Sequence, residues 1–269
     1  MTLAQENYKK ISLSIIILIL LIINGCTMVK VTVSEKRNPI VQQISISEKT
    51  SLSTWGTIKV NKSHFFPSSF LLKTDDKLVY IDPVEIADTE KADYILLTHS
   101  HPDHFSLRDI KKILKPTTEI ICSKGVFNKL KDIENEIIVV KPGDVLKLEG
   151  FELETVAAYN TKSVFLWIKA HPKSKENVGF ILTLHNVIRI YHAGDTDYIP
   201  EMNKISNINV ALVPIGGDNL TMNEAEAAMI VNQIKPEKVV PMHYELKDRE
   251  NLEKFKLLVD KAIQIIELE

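Results

Sequence analysis

Cysteine is scarce in this chain: of 269 residues only Cys26 and Cys122 are cysteines. That excludes a disulfide scaffold, which needs several bridges in a short sequence. A charge excess is also missing. Thirty-three Lys and Arg stand against 35 Asp and Glu, a net of −2. A nucleic-acid partner would call for a basic face, so none is expected. No internal repeat of 20–50 residues is visible, which excludes a solenoid. The apolar run Ile11–Ile23 is too short for a membrane span, which takes roughly 20 residues. What remains is a chain long enough to bury one full core as a single domain.

The N-terminus has its own composition. Lys9 and Lys10 precede the apolar run, and Ile23-Asn24-Gly25-Cys26 follows it. This is a secretory signal layout. Its ending resembles the bacterial lipoprotein signal, in which Cys26 becomes the lipidated N-terminus. An uncleaved anchor is the alternative. Either way the remainder is expected in the cell envelope, outside the cytoplasm and held to the membrane through the N-terminus. The expected organisation is a signal peptide over residues 1–25, a tether over 26–54 and a folded domain over 55–269. With Cys26 lipidated, Cys122 has no partner. It follows the strand-like Glu119-Ile120-Ile121 and reads as a buried, inert thiol.

The richest chemistry lies in His99-Ser100-His101-Pro102-Asp103-His104, directly after the apolar run Tyr94–Leu97. A buried strand ending in three imidazoles and a carboxylate delivers several ligands to one point. Imidazole with carboxylate suits zinc, and also iron or manganese. Four more apolar runs end the same way. They lead into Asp82, into His192-Ala193-Gly194-Asp195-Thr196-Asp197, into Gly216-Gly217 and into His243-Tyr244. Functional loops gathered at one edge of a sheet core produce this pattern.

From Trp55 onward, short β-rich runs alternate with helical ones. Strands are expected at Thr57–Asn61, Phe70–Lys73, Leu78–Ile81, Tyr94–Leu97, Glu119–Cys122 and Ile137–Val140. The second half adds Val145–Leu148, Glu152–Ala157, Gly179–Leu184, Val187–Tyr191, Val210–Pro214, Lys238–Pro241 and Ile263–Glu267. Ser106 can cap a helix bearing Leu107, Ile110, Ile113 and Leu114, stopped by Pro116. Thr221 and Glu224 read as a capping box before an Ala-rich helix to Gln233. A third helix is expected from Asn251 to about Ala262. Strands followed by helices in both halves suit two sheets covered by helices.

With these residues in hand, the chain from Trp55 to Glu269 resembles the metallo-β-lactamase-fold hydrolases. The stretch from Gly179 through His243 looks most like their ascorbate-phosphate-lactonase-like branch. The resemblance implies an α/β four-layer αβ/βα sandwich with two divalent metal ions, zinc first, manganese or iron as alternatives. His99 and His101 would bind one ion, Asp103 and His104 the second. Asp195 would bridge both, and His243 would complete the second set. Asp103 and Asp195 are then the carboxylates on which catalysis depends. Two such cations can share a hydroxide and polarise a carbonyl or phosphoryl oxygen. The expected reaction is hydrolysis of an ester-type bond, phosphodiester or lactone, in a small-molecule or lipid substrate.

One family element is missing. A histidine is expected after Glu152–Val156, where this chain reads Ala157-Ala158-Tyr159-Asn160. His171 lies further on and is the candidate replacement; a solvated loop histidine is the alternative. His64, Asp82, His192 and Tyr244 are candidates for contacts to the ligands or to substrate. Asp82 can accept from a ligand histidine and fix its tautomer, and Tyr244 is as well suited to packing. A rival reading is a non-enzymatic metal- or ligand-binding lipoprotein that retains the fold. Metal content and hydrolysis of a generic ester separate the two. An oxidoreductase with a di-iron site would usually need a flavin domain, for which the chain has no room.

Overall fold

The computed structural model describes residues 42–268, except 56, 61–62, 75, 88–89, 186 and 246–248. Contacts divide the chain into residues 1–32 and 33–269, and only the second unit holds described residues. The expected signal peptide, Cys26 and most of the expected tether lie outside them. Among the described residues no helix is long and apolar enough to cross a membrane.

The first half runs β1 (Gln42–Ser47), β2 (Thr50–Thr54), β3 (Ile58–Val60), β4 (Ser63–Phe66), β5 (Phe70–Lys73), β6 (Leu78–Ile81) and β7 (Tyr94–Leu97). Then come α1 (Leu107–Ile113), β8 (Glu119–Ser123), α2 (Lys124–Phe127) and β9 (Ile137–Val140). The second half begins with β10 (Val145–Leu148), β11 (Phe151–Ala157), β12 (Val178–Leu184), β13 (Ile188–His192) and β14 (Val210–Pro214). It ends with α3 (Glu224–Ile234), β15 (Lys238–Met242), β16 (Tyr244–Glu245), α4 (Arg249–Leu258) and β17 (Gln264–Ile265).

Two seven-stranded mixed sheets result, in the orders β1-β2-β5-β6-β7-β8-β9 and β10-β11-β12-β13-β14-β15-β17. Strand periodicity explains the layering, because successive side chains point to opposite faces. On the first sheet Leu72, Val79, Ile81, Leu96 and Ile121 enter the large core shared with the second sheet. Their neighbours Leu71, Tyr80, Ile95, Ile120 and Cys122 face the other way, onto Ile110 and Ile113 of α1. Strand β14 is buried along its whole length, and α3 packs on it through Ala227, Ile230 and Val231. The expected four-layer αβ/βα sandwich is the fold found.

Three expectations are corrected. Residues 42–54 are not tether: β1 and β2 are paired strands of the first sheet, with Leu52 and Thr54 fully buried. The domain therefore reaches back at least to Gln42, not Trp55. Its Ser- and Thr-rich composition hid an edge hairpin that needs few apolar residues. The Ala-rich helix is capped by Asn223, not Thr221. Asn223 Oδ1 accepts from Glu226 N at 2.9 Å, and Glu226 accepts in return from Asn223 N. The last helix covers Arg249–Leu258 and stops before Ala262. Ser106 caps α1 as expected, its Oγ accepting from Asp109 N.

Candidate metal centre

Parallel strands β6 and β7 end side by side in the first sheet, and β13, β14 and β15 do so in the second. Polar residues leave four of these five carboxyl ends: Asp82 after β6, Thr98 and His99 after β7, Asp195 beyond β13, His243 after β15. Ligands of α/β sheets collect at that edge.

Turn geometry makes this possible. Gly194 has φ 64°, and a Cβ there would lie 2.9 Å from Val178 O. A Cβ on Gly216 would lie 2.2 Å from His243 O, so only glycine lets those two backbones meet. Asp82 (φ 45°) and His243 (φ 54°) adopt the left-handed region without being glycine. Such strain concentrates at functional sites and must be held by surrounding contacts.

Two groups of ligand atoms share Asp195. One is His99, His101, His171 and Asp195; the other is Asp103, His104, Asp195 and His243. Within each group the atoms lie within 4.8 Å of one another. His171, the candidate replacement, therefore lies together with His99, His101 and Asp195. Its Nε2 is 3.0 Å from His101 Nδ1 and 3.4 Å from Asp195 Oδ2. On the other side His104 Nε2 is 3.2 Å from Asp195 Oδ1, and His243 Nε2 is 3.1 Å from Asp195 Oδ2. His243 Nε2 is also 3.4 Å from Asp103 Oδ2.

The donor set fits cations. His99 Nε2, His104 Nε2 and Asp195 Oδ1 are buried with no hydrogen-bond partner among the described residues. Their orientation is fixed from behind. Asp82 accepts from Thr98 N (2.8 Å), Thr98 Oγ1 (2.5 Å) and His104 Nδ1 (2.7 Å). Thr98 Oγ1 in turn accepts from His99 Nδ1 at 3.0 Å. One buried carboxylate thus sets the tautomer of two imidazoles and leaves both Nε2 lone pairs facing the centre.

Asn160 does the same for His171. Its Oδ1 accepts from His171 Nδ1 (2.9 Å) and His171 N (2.8 Å), while its amide donates to Asp197 Oδ1 (3.1 Å) and Leu220 O (2.9 Å). Asp197 also accepts from Thr161 N, Thr161 Oγ1 and Lys162 N. The substituted loop is held as a unit.

Electrostatics divide the groups. Burial pushes His99 well below the ordinary imidazole value, His101 below it and His171 down to about 4. Burial opposes charge on the other group too, but the opposite charges outweigh it. In the metal-free protein Asp195 and Asp103 hold His104 well above its ordinary value and His243 at about 9. His104 and His243 hold Asp103 down to about 2. A centre that binds protons this way also attracts cations.

Residues 64–243 match the β-lactamase superfamily domain. The UPF0173 metal-dependent hydrolase of Thermoplasma acidophilum is 33% identical over 205 residues, covering 74% of this chain and 84% of that protein. The chain belongs to the UPF0173 metal-dependent hydrolases. A second member, from Pyrococcus furiosus, is 32% identical over 71% of this chain and 87% of its own length. A solved structure assigned to the metal-dependent hydrolases, from Parabacteroides distasonis, superposes with TM-score 0.66 at 29% identity. It covers 85% of this chain and 98% of its own. None of these UPF0173 relatives is named for a lactonase.

The remaining sequence candidates separate in this UPF0173 member. His192 is not a ligand: its Nε2 donates to Ser68 O (2.9 Å) and its Nδ1 accepts from Gly194 N, joining β13 to the loop before β5. Tyr244 is buried and stacks on Phe66 at 5.7 Å, so it packs rather than facing substrate. His64 lies on β4 outside both groups, and its neighbour Phe65 is the residue set edge-on to His243, at 4.5 Å. Burial pushes the Cys122 thiol up to about 12, so it is inert. Sequence reasoning gave no role to Thr98, Asn160 or Asp197. The available signal was position: each sits one or two residues from a ligand motif or inside the substituted loop.

Proposed function

We propose that this hydrolase holds two divalent cations and cleaves an ester-type bond, a phosphodiester or a lactone. The observation that carries the reading is the pair of four-residue groups sharing Asp195, with three of their buried polar atoms lacking hydrogen-bond partners among the described residues. His99, His101, His171 and Asp195 would hold one cation; Asp103, His104, His243 and Asp195 the other. Bound there, the cations would polarise the scissile carbonyl or phosphoryl oxygen and lower the pKa of water. The chain's own contribution is positional. Asp82 and Thr98 aim two imidazoles, Asn160 aims a third, and Asp195 keeps both groups a fixed distance apart. Mixed imidazole and carboxylate ligands favour zinc, with manganese or iron compatible.

The test is metal analysis of the purified chain, followed by hydrolysis of bis(p-nitrophenyl) phosphate and simple lactones. Close to two metals per chain and chelator-sensitive hydrolysis are expected, both lost in Asp195→Ala. One metal per chain, or full activity in that variant, overturns the two-cation reading. Export and lipidation rest on residues 9–26 alone, and mass spectrometry of the mature N-terminus tests them.

A further inference from the structure

Between Asn160 and His171 the chain makes a small hairpin. Val164 N donates to Ile168 O and Ile168 N to Phe165 O, both at 2.8 Å, and Leu166 takes the left-handed turn position at φ 50°. Its base is tied down by Asn219 Nδ2 to Ser163 O (3.1 Å) and by Lys162 Nζ to Glu226 Oε1 (2.6 Å). Its tip is apolar and uncovered: Val164 is 39% exposed, Phe165 64%, Leu166 63% and Trp167 72%. Successive residues of an extended segment point to opposite faces. Exposure of four in a row means that neither face rests on the body, so the tip stands off it. An ordinary surface scatters its exposed apolar residues singly.

The charge carried by this segment itself is of one sign. From Thr161 to Lys175 the chain carries Lys162, Lys169, Lys173 and Lys175 and no carboxylate; the next acid is Glu176. Lys162 and Lys173 are paired with Glu226 and Glu201, while Lys169 and Lys175 have no acidic partner among the described residues. An aromatic and aliphatic tip in a segment whose own charges are all lysines is the composition of a segment seated at an anionic lipid interface, the rings among the acyl chains and the ammonium groups at the phosphates. A pocket for a substrate's acyl group would be concave, and this tip projects.

We infer that the 163–168 hairpin docks the protein on an anionic lipid surface. The hairpin begins three residues after Asn160 and ends three before His171, so docking brings the metal centre to the membrane face. This inference stands apart from the choice of scissile bond. Its readout is light emission, not turnover.

The experiment uses the full chain, whose two tryptophans are Trp55, buried, and Trp167, exposed. Vesicles of phosphatidylcholine alone are compared with an equal mixture of phosphatidylcholine and phosphatidylglycerol. On the anionic vesicles Trp167 emission should move to shorter wavelength and be quenched by brominated lipid. The Trp167→Phe variant should show neither change while keeping its metal content. Lys169→Glu with Lys175→Glu should weaken the response to anionic vesicles by about tenfold or more. Sedimentation with vesicles while Trp167 stays unshifted would mean that another segment holds the membrane, and overturns the inference. An equal response to phosphatidylcholine alone overturns it as well. So does a shift produced by monomeric p-nitrophenyl octanoate but not by vesicles, which would make the hairpin a substrate grip.

Discussion

At the residue scale, the outcome turns on His171 and Asn160. His171 is one of four candidate ligands in its group, so His171→Ala should empty that group and spare the Asp103–His104–His243 group. Asn160 is a positioning residue, and its loss frees the His171 ring and strips a partner from Asp197. Loss of such an outer partner lowers metal affinity by about 10–100-fold. Asn160→Ala should therefore weaken the same group to an intermediate degree. Metal content with anomalous scattering distinguishes the two variants, and an effect of Asn160→Ala on the other group would refute the assignment. The histidines after β7 were legible from spacing alone, because a strand end fixes where the next residues go. Asn160 was not. Nothing in the sequence gave it a role, and the role it has exists only because Asp197 and Leu220 come to it from elsewhere in the chain.

At the element scale, close backbone packing decides function. Gly216→Ala would drive a Cβ into His243 O, which cannot yield without moving the imidazole. The variant should fold, lose metal from the His243 group and lose most of its activity; normal metal content would show that the loop relaxes freely. The β1–β2 hairpin makes a different prediction. Leu52 is fully buried in the inter-sheet core, so Leu52→Ala should cost about 2–5 kcal/mol. Chemical denaturation measures this, and a change near zero would restore these residues to the tether. Apolar strands such as β6, β7 and β14 were readable to the residue because burial on both faces demands continuous apolar runs. Strands β1, β2 and β4 carry polar residues and escaped notice. The 163–168 hairpin escaped for the opposite reason: an apolar run ordinarily signals core.

For the whole molecule, the two ligand groups impose a pH dependence on the metal-free state. His243 is raised from 6.5 to about 9 by Asp195 and Asp103. A raised imidazole contributes stability fully below about pH 6.5 and loses it as the pH climbs through 9. His171, lowered to about 4, is neutral across that window and contributes no slope there. The chelated protein should therefore lose thermal stability between pH 6.5 and 9. The metal-loaded protein should be more stable and nearly flat over the same range, because a cation replaces the proton. Melting curves with and without chelator test this, and a chelated protein that gains stability over that window would contradict it.

Sequence alone determined most of the strands from β5 onward and the order of the ligand motifs, because burial on a strand and ligands at a strand end are local properties of a run of residues. Tertiary structure alone decided which histidine joins His99 and His101 and what orients it. His99 and His171 meet only because β7 and the loop after β11, from different sheets, end at the same edge. Contacts between segments so far apart in the chain leave no periodicity to read. They exist only once both sheets have packed on their common core.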